Sequence, residues 1–329
     1  MKLMKKDIKA TEEVTTFFAL EAVQLKKSKK VQRYFLDLDL YDKSGRIKGY
    51  IWNEPATIAG TLKEKSFVKV RGIAKKMNNA LILDVERIRT AEKHEIDITD
   101  FLDIVPGGVE HWRKQLVDMA GTIKDRDCKR LIDAFLSDEA FMELFLTSPA
   151  GITVHHNYIG GLLEHTVNSM MQAASIVDKH SVMLNRDVLL TGAFLHDIGK
   201  TREIYWEIAK EYTTEGKLLG HICIGLIMLE EKLAGLKDFP ADLAMRLRHM
   251  IAAHHGTKEH GSPTLPATKE ALVLHLIDNL DAKVNHLYCH LGNSDPNKEW
   301  SYFDRFLNTE IYQKGYAGRI LRAITEVAA

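Results

Sequence analysis

The chain has 329 residues, of which 45% are hydrophobic and 27% charged, so it can bury cores and is not intrinsically disordered. No stretch approaches the ~18 unbroken apolar residues of a membrane span, and the first six residues lead into no signal-peptide apolar region. Its three widely spaced cysteines form no zinc or redox pair. We therefore expect a cytoplasmic protein with no membrane partner, built from roughly two domains of ~150 residues each.

The net charge of zero conceals a division along the chain. Residues 1–92 hold 20 Lys and Arg and 12 Asp and Glu, a net charge of +8. Residues 93–329 hold 25 Lys and Arg and 33 Asp and Glu, a net charge of −8. All 15 histidines lie between His94 and His290. This asymmetry predicts two parts with different functions, residues 1–92 and 151–329, joined by a linker with accessory helices over 93–150.

Up to residue 89, apolar and polar residues alternate with a period of two. In the segment 34–41, Leu36, Leu38 and Leu40 alternate with Asp37 and Asp39, the pattern of a half-buried strand. Strands are predicted over 14–24, 34–41, 47–52, 67–74 and 80–88, with a short helix over 54–62 between the third and fourth. This order predicts a five-stranded OB-fold barrel that binds nucleic acid.

The two loops through which an OB-fold binds oligonucleotides are rich in lysine. They are predicted at 26–30 and 75–79, where a phosphate backbone would lie, and nearby aromatic residues could stack on bases. The alternative is that the lysines only increase solubility and the aromatic rings fill the barrel. The candidate nucleic-acid-binding residues are Lys26, Lys27, Lys29, Lys30, Tyr34, Trp52, Lys75 and Lys76.

Beyond residue 90 the periodicity becomes helical. Residues 91–106 are predicted to form a linker, and apolar residues at spacings of three and four predict helices over 109–123 and 127–146. We interpret every later segment as helical too. The fold class predicted for the whole chain is therefore multidomain α+β, with a β-barrel followed by an all-α bundle.

The pair His196-Asp197 follows the apolar run 188–195 and directly precedes Gly199, where a helix would end. Burying an imidazole beside a carboxylate is costly without a partner, and a divalent cation is the usual one. Mixed nitrogen and oxygen donors favour Mn, Fe, Co, Ni or Zn over Ca, and a carboxylate can bridge two such ions. The candidate ligands are His165, His196, Asp197, His221, His254, His255 and Asp278.

This ordered series resembles the HD superfamily of metal-dependent phosphohydrolases, in the version whose additional histidines are associated with two metals. The resemblance covers roughly residues 150–290. It implies two ions per chain with Asp197 bridging them, of which Mn is expected first and Co, Fe, Ni, Zn or Mg are the alternatives. The implied ligands are His165, His196, Asp197 and Asp278 for one ion, and His221, His254 and His255 for the other.

Three segments, 155–166, 216–221 and 278–283, also resemble the YhaM-type 3′→5′ exoribonucleases. That family joins an N-terminal OB-fold to a C-terminal HD domain, the same order as the pattern predicts here. The resemblance implies a metal-dependent 3′→5′ exonuclease that hydrolyses single-stranded RNA, or single-stranded DNA, to nucleoside 5′-monophosphates with a metal-activated water as nucleophile. It also makes a homo-oligomer an expectation.

Further polar residues have less definite roles. Lys200 is predicted to neutralise phosphate charge or assist proton transfer, against the alternative of an ordinary cation near a helix C-terminus. His155 and His156 are predicted to contact either the substrate or the ligands. Asp281 shares a helix face with Asp278 and is interpreted as support for the ligands. The histidines interpreted as structural are His249, His275, His286 and His290.

Two other functions stay open at this stage. One is an HD phosphohydrolase acting on free or cyclic nucleotides, with the barrel in a regulatory role. The other is a non-catalytic protein that binds single-stranded nucleic acid. The complete ligand series argues against the second alternative, and the lysine-rich loops argue against the first.

Overall fold

The computed structural model describes residues 3–29, 31–152, 156–206 and 211–315. The chain forms two compact units, and the main division falls between Asp103 and Ile104. Within the described ranges, every helix is too short or too polar to cross a membrane.

The first unit is a closed barrel with the strand order β1-β2-β3-β5-β4. The strands β3 and β5 pair in parallel, and the other neighbouring pairs are antiparallel. This topology, with a helix between the third and fourth strands, confirms the predicted OB-fold. The elements are β1 (Glu13–Lys27), β2 (Tyr34–Asp42), β3 (Gly45–Ile51), α1 (Pro55–Ala59), β4 (Ser66–Met77) and β5 (Ala80–Thr90).

Alternation along β2 fills the barrel as predicted. Leu36, Leu38 and Leu40 are fully buried in the barrel core, where they pack with Phe18 of β1. Asp37 and Asp39 point to the opposite side of the strand, because successive side chains alternate between faces. Burial of this leucine row fixes the register of β2 against its neighbours.

The strands are longer than predicted, so the lysine-rich loops are shorter. Pairing continues to Lys27 in β1 and to Met77 in β4. The connection from β4 to β5 is only Asn78-Asn79, and both residues have positive φ, as a tight two-residue hairpin turn requires. Four of the six candidate lysines therefore lie on strands and not in loops: Lys26, Lys27, Lys75 and Lys76.

The outer face of the barrel carries a nearly buried aspartate between two lysines. Asp37 accepts hydrogen bonds from Lys26 Nζ at 2.5 Å and from Lys48 Nζ at 3.0 Å. Burial alone would raise the pKa of Asp37, but the hydrogen bonds and charges of these two lysines lower it below its usual value. The lysine side chains are close to half exposed, so solvent weakens both ion pairs.

We expect Asp37→Asn to destabilise the barrel by about 1 kcal/mol at pH 7. The folded pKa of Asp37 lies below the unfolded value, so its stabilisation is complete above the unfolded pKa near ~4 and is lost as the pH falls through the folded pKa. Urea unfolding monitored by amide exchange in β2, at pH 7 and pH 3, measures the difference. Asp103→Asn, at an exposed carboxylate, is the control and should be neutral at both pH values. A penalty for Asp37→Asn that is as large at pH 3 as at pH 7 would contradict this electrostatic account.

The second unit consists mainly of helices packed around one large apolar core. α6 runs through the middle of this unit, and all its residues from Val188 to Leu195 are buried. The helices are α2 (Val109–Gly121), α3 (Arg126–Leu136), α4 (Glu139–Thr147), α5 (Gly161–His180), α6 (Arg186–Leu195), α7 (Lys200–Glu203), α8 (Thr214–Ala234), α9 (Ala241–Ala253) and α10 (Lys269–Gly292).

Two details of the helical prediction are wrong. The single helix predicted over 127–146 is the pair α3 and α4, because the Asp138 side chain accepts a hydrogen bond from Phe141 N at 3.0 Å and starts a new helix. The unit is also not purely helical. β6 (Ile204–Tyr205) and β7 (Glu211–Tyr212) form a small two-stranded sheet after α7, too short to produce a detectable period-two pattern.

Candidate metal centre

His196 and Asp197 lie at the C-terminal end of α6, in the interior of the helical unit. His196 is the C-cap of α6 and is fully buried, and Asp197 is 1% exposed. The next helix, α7, begins three residues later at Lys200. Because α6 is buried on all sides, its end delivers an imidazole and a carboxylate into the core, where neither can be hydrated.

The two oxygens of Asp197 face two different groups of imidazole nitrogens. Asp197 Oδ2 lies 3.5 Å from both His165 Nε2 and His196 Nε2. Asp197 Oδ1 lies 3.6 Å from His221 Nε2 and 3.5 Å from His254 Nε2. The carboxylate therefore separates two sets of donors that come from different helices.

Each set has a third member. Asp278 Oδ1 lies 3.3 Å from His165 Nε2 and 3.9 Å from His196 Nε2. His255 Nε2 lies 3.3 Å from His221 Nε2. All seven candidate ligands are thus brought together, in two groups that each have the geometry to hold a metal ion. The groups are His165, His196 and Asp278, and His221, His254 and His255, with Asp197 between them.

All five rings of the cluster are oriented from behind through Nδ1. A ring nitrogen facing a carbonyl must carry the proton, so the other nitrogen presents its lone pair to the cluster. Three rings use backbone carbonyls: His196 Nδ1 to Ala193 O, His254 Nδ1 to Ile251 O and His255 Nδ1 to His260 O, all at 2.8 Å. This arrangement fixes the tautomer that a metal ligand needs.

The other two rings of the cluster use carboxylates. His165 Nδ1 lies 2.7 Å from Asp281 Oδ2, and His221 Nδ1 lies 3.2 Å from Glu203 Oε1. A carboxylate behind an imidazole holds the ring in place and makes its inner nitrogen a stronger donor to a metal. Asp281 thus supports a candidate ligand, as its position one turn after Asp278 predicts.

Two atoms at the centre of the cluster have unmet bonding capacity. Asp197 Oδ1 and His254 Nε2 are buried and have no hydrogen-bond partner among the described residues. Leaving such groups unsatisfied costs about 1–3 kcal/mol each. A divalent cation between them would bind both, and the donor set of five imidazoles and two carboxylates suits a transition metal. The residues present therefore fit the metal that the sequence predicts.

Burial and charge shift the pKa values in this cluster in opposite directions. Burial lowers the pKa of His254 well below its ordinary value and also lowers the pKa of His196. Burial alone would also lower the pKa of His165. The hydrogen bonds that its ring donates to the carboxylates of Asp278 and Asp281 instead raise that pKa to about 10. For Asp197, burial opposes ionisation, yet the charges of Lys200 and the surrounding histidines hold its pKa well below the usual range. Both aspartates of the cluster are therefore ionised at neutral pH.

Lys200 is buried against the cluster. Its Nζ donates to Asp197 Oδ2 at 2.6 Å. Burial would lower the pKa of Lys200, but Asp197 outweighs it and raises the pKa, so the amine stays charged. A charged amine suits neutralisation of phosphate better than proton transfer. The structure also fits the alternative of a cation near a helix C-terminus, because α7 is only four residues long and Lys200 lies in its last turn.

His156 is held between two carboxylates behind the cluster. Its Nδ1 lies 2.8 Å from Glu164 Oε2 and its Nε2 lies 2.9 Å from Asp281 Oδ2. The ring is only 1% exposed. This position favours a role in holding Asp281, the carboxylate behind His165, over direct contact with substrate. The neighbouring His155 lies outside the described residues.

Sequence reasoning missed two acidic residues that hold the cluster. Glu203 Oε1 accepts hydrogen bonds from the backbone N and from the ring Nδ1 of His221, a residue 18 positions later in the chain. No periodic relation connects these positions, so no sequence signal could have found Glu203. Glu164 is different, because a carboxylate within the apolar start of α5 and next to His165 is unusual enough to be noticed.

On the barrel, the candidate nucleic-acid-binding residues differ in availability. Lys26 is paired with Asp37, and Lys75 with Asp84. Tyr34 is 55% exposed. Trp52 stacks on Phe35 with ring centroids 4.8 Å apart, so its stacking surface is partly used within the barrel. All five described candidate lysines are exposed; Lys27, Lys29 and Lys76 are the three that form no ion pair with a described residue, and Lys30 lies outside the described residues.

Comparison with known proteins gives a match to one family model and matches to several solved structures. Residues 162–283 match the sequence model of the HD domain. Among solved structures, the second OB-fold domain of replication protein A from Methanococcus maripaludis is 27% identical over 28% of this chain and 97% of that chain, with a TM-score of 0.25. A replication protein A heterotrimer bound to single-stranded DNA is 13% identical over 29% of this chain and 68% of that chain, with a TM-score of 0.21.

The second unit therefore contains an HD domain, and its cluster of histidines and aspartates could hold divalent metal ions. Together these two findings support a metal-dependent phosphohydrolase. The assignment of the first unit to the OB-fold depends on its own strand order and register.

Proposed function

We propose that the protein is a metal-dependent 3′→5′ exonuclease that degrades single-stranded RNA, and single-stranded DNA as a second substrate, to nucleoside 5′-monophosphates. The observation that carries this proposal is the position of Asp197, with one oxygen facing each of two groups of imidazole donors. That arrangement suits two cations bridged by one carboxylate, which is the requirement of two-metal phosphodiester hydrolysis.

When bound, the ions would supply Lewis acidity to the phosphoryl oxygens and activate a water for in-line attack. The protein's own contribution is orientation and charge. Asp197 and Asp278 place negative charge in the interior, and Lys200 compensates part of it. With cations present, Lys200 would lie near the phosphate and stabilise the charge that develops on it.

The barrel is proposed to recruit the nucleic acid. An excess of +8 over residues 1–92 attracts a polyanion, whereas the excess of −8 over residues 93–329 repels it except at bound cations. Exposed Lys27, Lys29 and Lys76 offer phosphate contacts, and exposed Tyr34 offers a surface on which a base can stack. This division of charge favours a long single strand of nucleic acid as the substrate over a free nucleotide.

The test is incubation of the purified protein with 5′-labelled single-stranded RNA and Mn²⁺, with an EDTA control and the variant Asp197→Ala. A metal-dependent ladder that shortens from the 3′ end, and is absent in the variant, is the expected result. Unchanged RNA would overturn the exonuclease proposal. Binding of RNA without any product would point to a non-catalytic binding protein.

One observation favours a second candidate function. Lys26 and Lys75 are neutralised by neighbouring carboxylates, which reduces the positive charge that the barrel offers to RNA. A phosphohydrolase acting on free or cyclic nucleotides would not need that charge. Hydrolysis of small nucleotides in the same assay, with no shortening of RNA, would establish this alternative.

We expect the triple substitution K27Q/K29Q/K76Q to weaken RNA binding by at least about tenfold at low salt. Each lost phosphate contact also removes about 0.7 from the slope of log K against log salt for a single strand, so the slope should fall by about 2. Fluorescence anisotropy with a labelled 20-nucleotide RNA at several salt concentrations measures both quantities.

The control for this prediction changes the same number of charges on the acidic unit. Lys179, Lys237 and Lys258 are exposed there, and K179Q/K237Q/K258Q should leave both the affinity and the salt slope unchanged. Equal effects of the two triple variants would mean that net charge alone matters, and that the barrel lysines have no particular role.

A further inference from the structure

α10 continues beyond the metal centre and carries two further histidines. His286 and His290 are four residues apart, so they lie on the same side of the helix. At a rise of 1.5 Å per residue, His286 is about 12 Å along α10 from Asp278. Asp304 lies against both rings, with Oδ2 at 2.7 Å from His286 Nε2 and 2.9 Å from His290 Nδ1.

Asp304 is fixed so that one oxygen points at the two rings. Its other oxygen, Oδ1, accepts from Leu307 N at 2.7 Å. Its backbone N donates to Thr309 O at 2.9 Å, and its backbone O accepts from Thr309 N at 3.2 Å. Because the backbone and one carboxylate oxygen are both held in this turn, Oδ2 is aimed at the histidines by the fold itself.

The hydrogen bonds around His290 determine where its proton lies. His290 Nε2 is 2.9 Å from Ser301 Oγ and 3.2 Å from Tyr302 O. The Ser301 hydroxyl itself donates to Tyr302 O at 2.8 Å, so His290 Nε2 faces two acceptors and must carry a proton. A neutral His290 would then direct the lone pair of Nδ1 at the Asp304 carboxylate. A cation bound by both Nδ1 and the carboxylate would remove that conflict.

The surroundings suit a bound cation. His290 and Asp304 are 5% and 6% exposed, and His286 is partly open to solvent. The ring centroid of Phe306 lies 4.8 Å from that of His286, and the ring centroid of Tyr302 lies 4.4 Å from that of His290. These two aromatic rings shield the cluster from water. Two imidazoles and one carboxylate are a usual donor set for Zn²⁺, with water as the fourth ligand.

Apart from its contacts with His286 and His290, the segment that contains Asp304 is tied to the preceding chain by Gln313, whose Nε2 donates to Asp295 O at 2.8 Å and to Lys298 O at 3.1 Å. Backbone bridges within the segment join Trp300 to Tyr312 and Asp304 to Thr309. Several of its large side chains stay exposed, so apolar burial contributes little to anchoring it. The exposed side chains are Trp300, Tyr302, Phe303, Phe306 and Tyr312.

We propose that His286, His290 and Asp304 form a separate binding site for one divalent cation of the zinc type, which fastens residues 299–313 to the end of α10. The ligand atoms would move apart by about 0.5 Å to reach the separation of donors around tetrahedral zinc. The site is structural, and it does not depend on the function proposed for the metal centre.

The test counts zinc ions on the full-length protein. Wild type, H290Q/D304N and the control H180Q/D178N, an exposed pair on α5, are stripped with chelator and dialysed against buffered Zn²⁺ alone. We expect H290Q/D304N to hold one ion per chain fewer than wild type, and the control to hold the same number. An equal zinc content in all three proteins would overturn the proposal. His286, His290 and Asp304 would then be joined by hydrogen bonds alone.

Limited proteolysis gives an independent measurement. Zn²⁺ should slow cleavage within residues 299–313 by at least tenfold in wild type and should have no effect on H290Q/D304N. Protection of the double variant by Zn²⁺, or absence of protection in wild type, would contradict the site. If the double variant lacks native circular dichroism, His286→Gln replaces it. This variant keeps the contact between His290 and Asp304, and it should bind the additional ion at least tenfold more weakly.

Discussion

Replacing Asp197 with Asn should abolish phosphodiester hydrolysis while leaving the chain able to fold with reduced stability. In the proposed mechanism Asp197 would bind two cations and so contribute several kcal/mol to stabilising the transition state, and we therefore expect kcat to fall by about 10³-fold or more. The variant also leaves the buried charge of Lys200 uncompensated, which costs about 3–5 kcal/mol of folding free energy. Single-turnover hydrolysis of RNA and denaturant unfolding measure the two effects.

A double variant separates these effects. In D197N/K200M the buried charge is removed along with its partner, so most of the stability should return. Hydrolysis should not return, because the bridging carboxylate is still missing. Asp242→Asn, at an exposed carboxylate on α9, is the matched control and should change neither quantity. Recovery of activity in the double variant would mean that Asp197 serves only to neutralise Lys200.

Gly199→Ala should destabilise the second unit by about 3 kcal/mol or more and reduce hydrolysis at least tenfold. The backbone of Gly199 has ordinary helical angles, so the reason is space and not conformation. A Cβ there would lie 2.0 Å from His221 O and 2.7 Å from Gly225 N, both in the backbone of α8. α8 would have to move away, and His221 would leave its position beside Asp197.

The control for Gly199 is a glycine with free space. Gly121 ends α2, and a Cβ there would meet no atom within 4 Å. Gly121→Ala should therefore be neutral or stabilising by about 0.5–1 kcal/mol. Urea unfolding and RNA hydrolysis of both variants, side by side, measure the difference. Wild-type activity in Gly199→Ala would show that the contact between α7 and α8 does not position His221.

Much of the fold could be predicted because local patterns were strong. The leucines of β2 alternate without interruption, so both the strand and its inner face could be read directly. The side chains that the structure brings together around Asp197 could be predicted because a buried histidine next to an aspartate has few stable explanations. The break between α3 and α4 was missed because the apolar spacing continues through Asp138, whose capping bond decides the boundary.

The rest depends on contacts between distant positions. Glu203 supports His221 only because α7 packs against α8, and Asp37 neutralises Lys26 only because β1 pairs with β2. Likewise, His286 and His290 gain a partner only when the chain beyond α10 folds back to place Asp304 against them. Periodicity along the chain carries no information about contacts between distant residues. Counting charges and possible ligands in the sequence therefore overestimates the free charge at some sites and misses other sites.

The two histidines that end helices have a consequence for the protein without its metals. His196 and His254 are the C-caps of α6 and α9, and each ring donates to a carbonyl three residues earlier, a group that a helix end leaves without a partner. The same side chain thus finishes a helix and presents a nitrogen to the cluster. Removal of the proposed ions would leave these bonds in place, so we expect the cluster to keep its shape and to take up metal again without refolding. Metal exchange should then be limited by access to the interior and not by reassembly of the site.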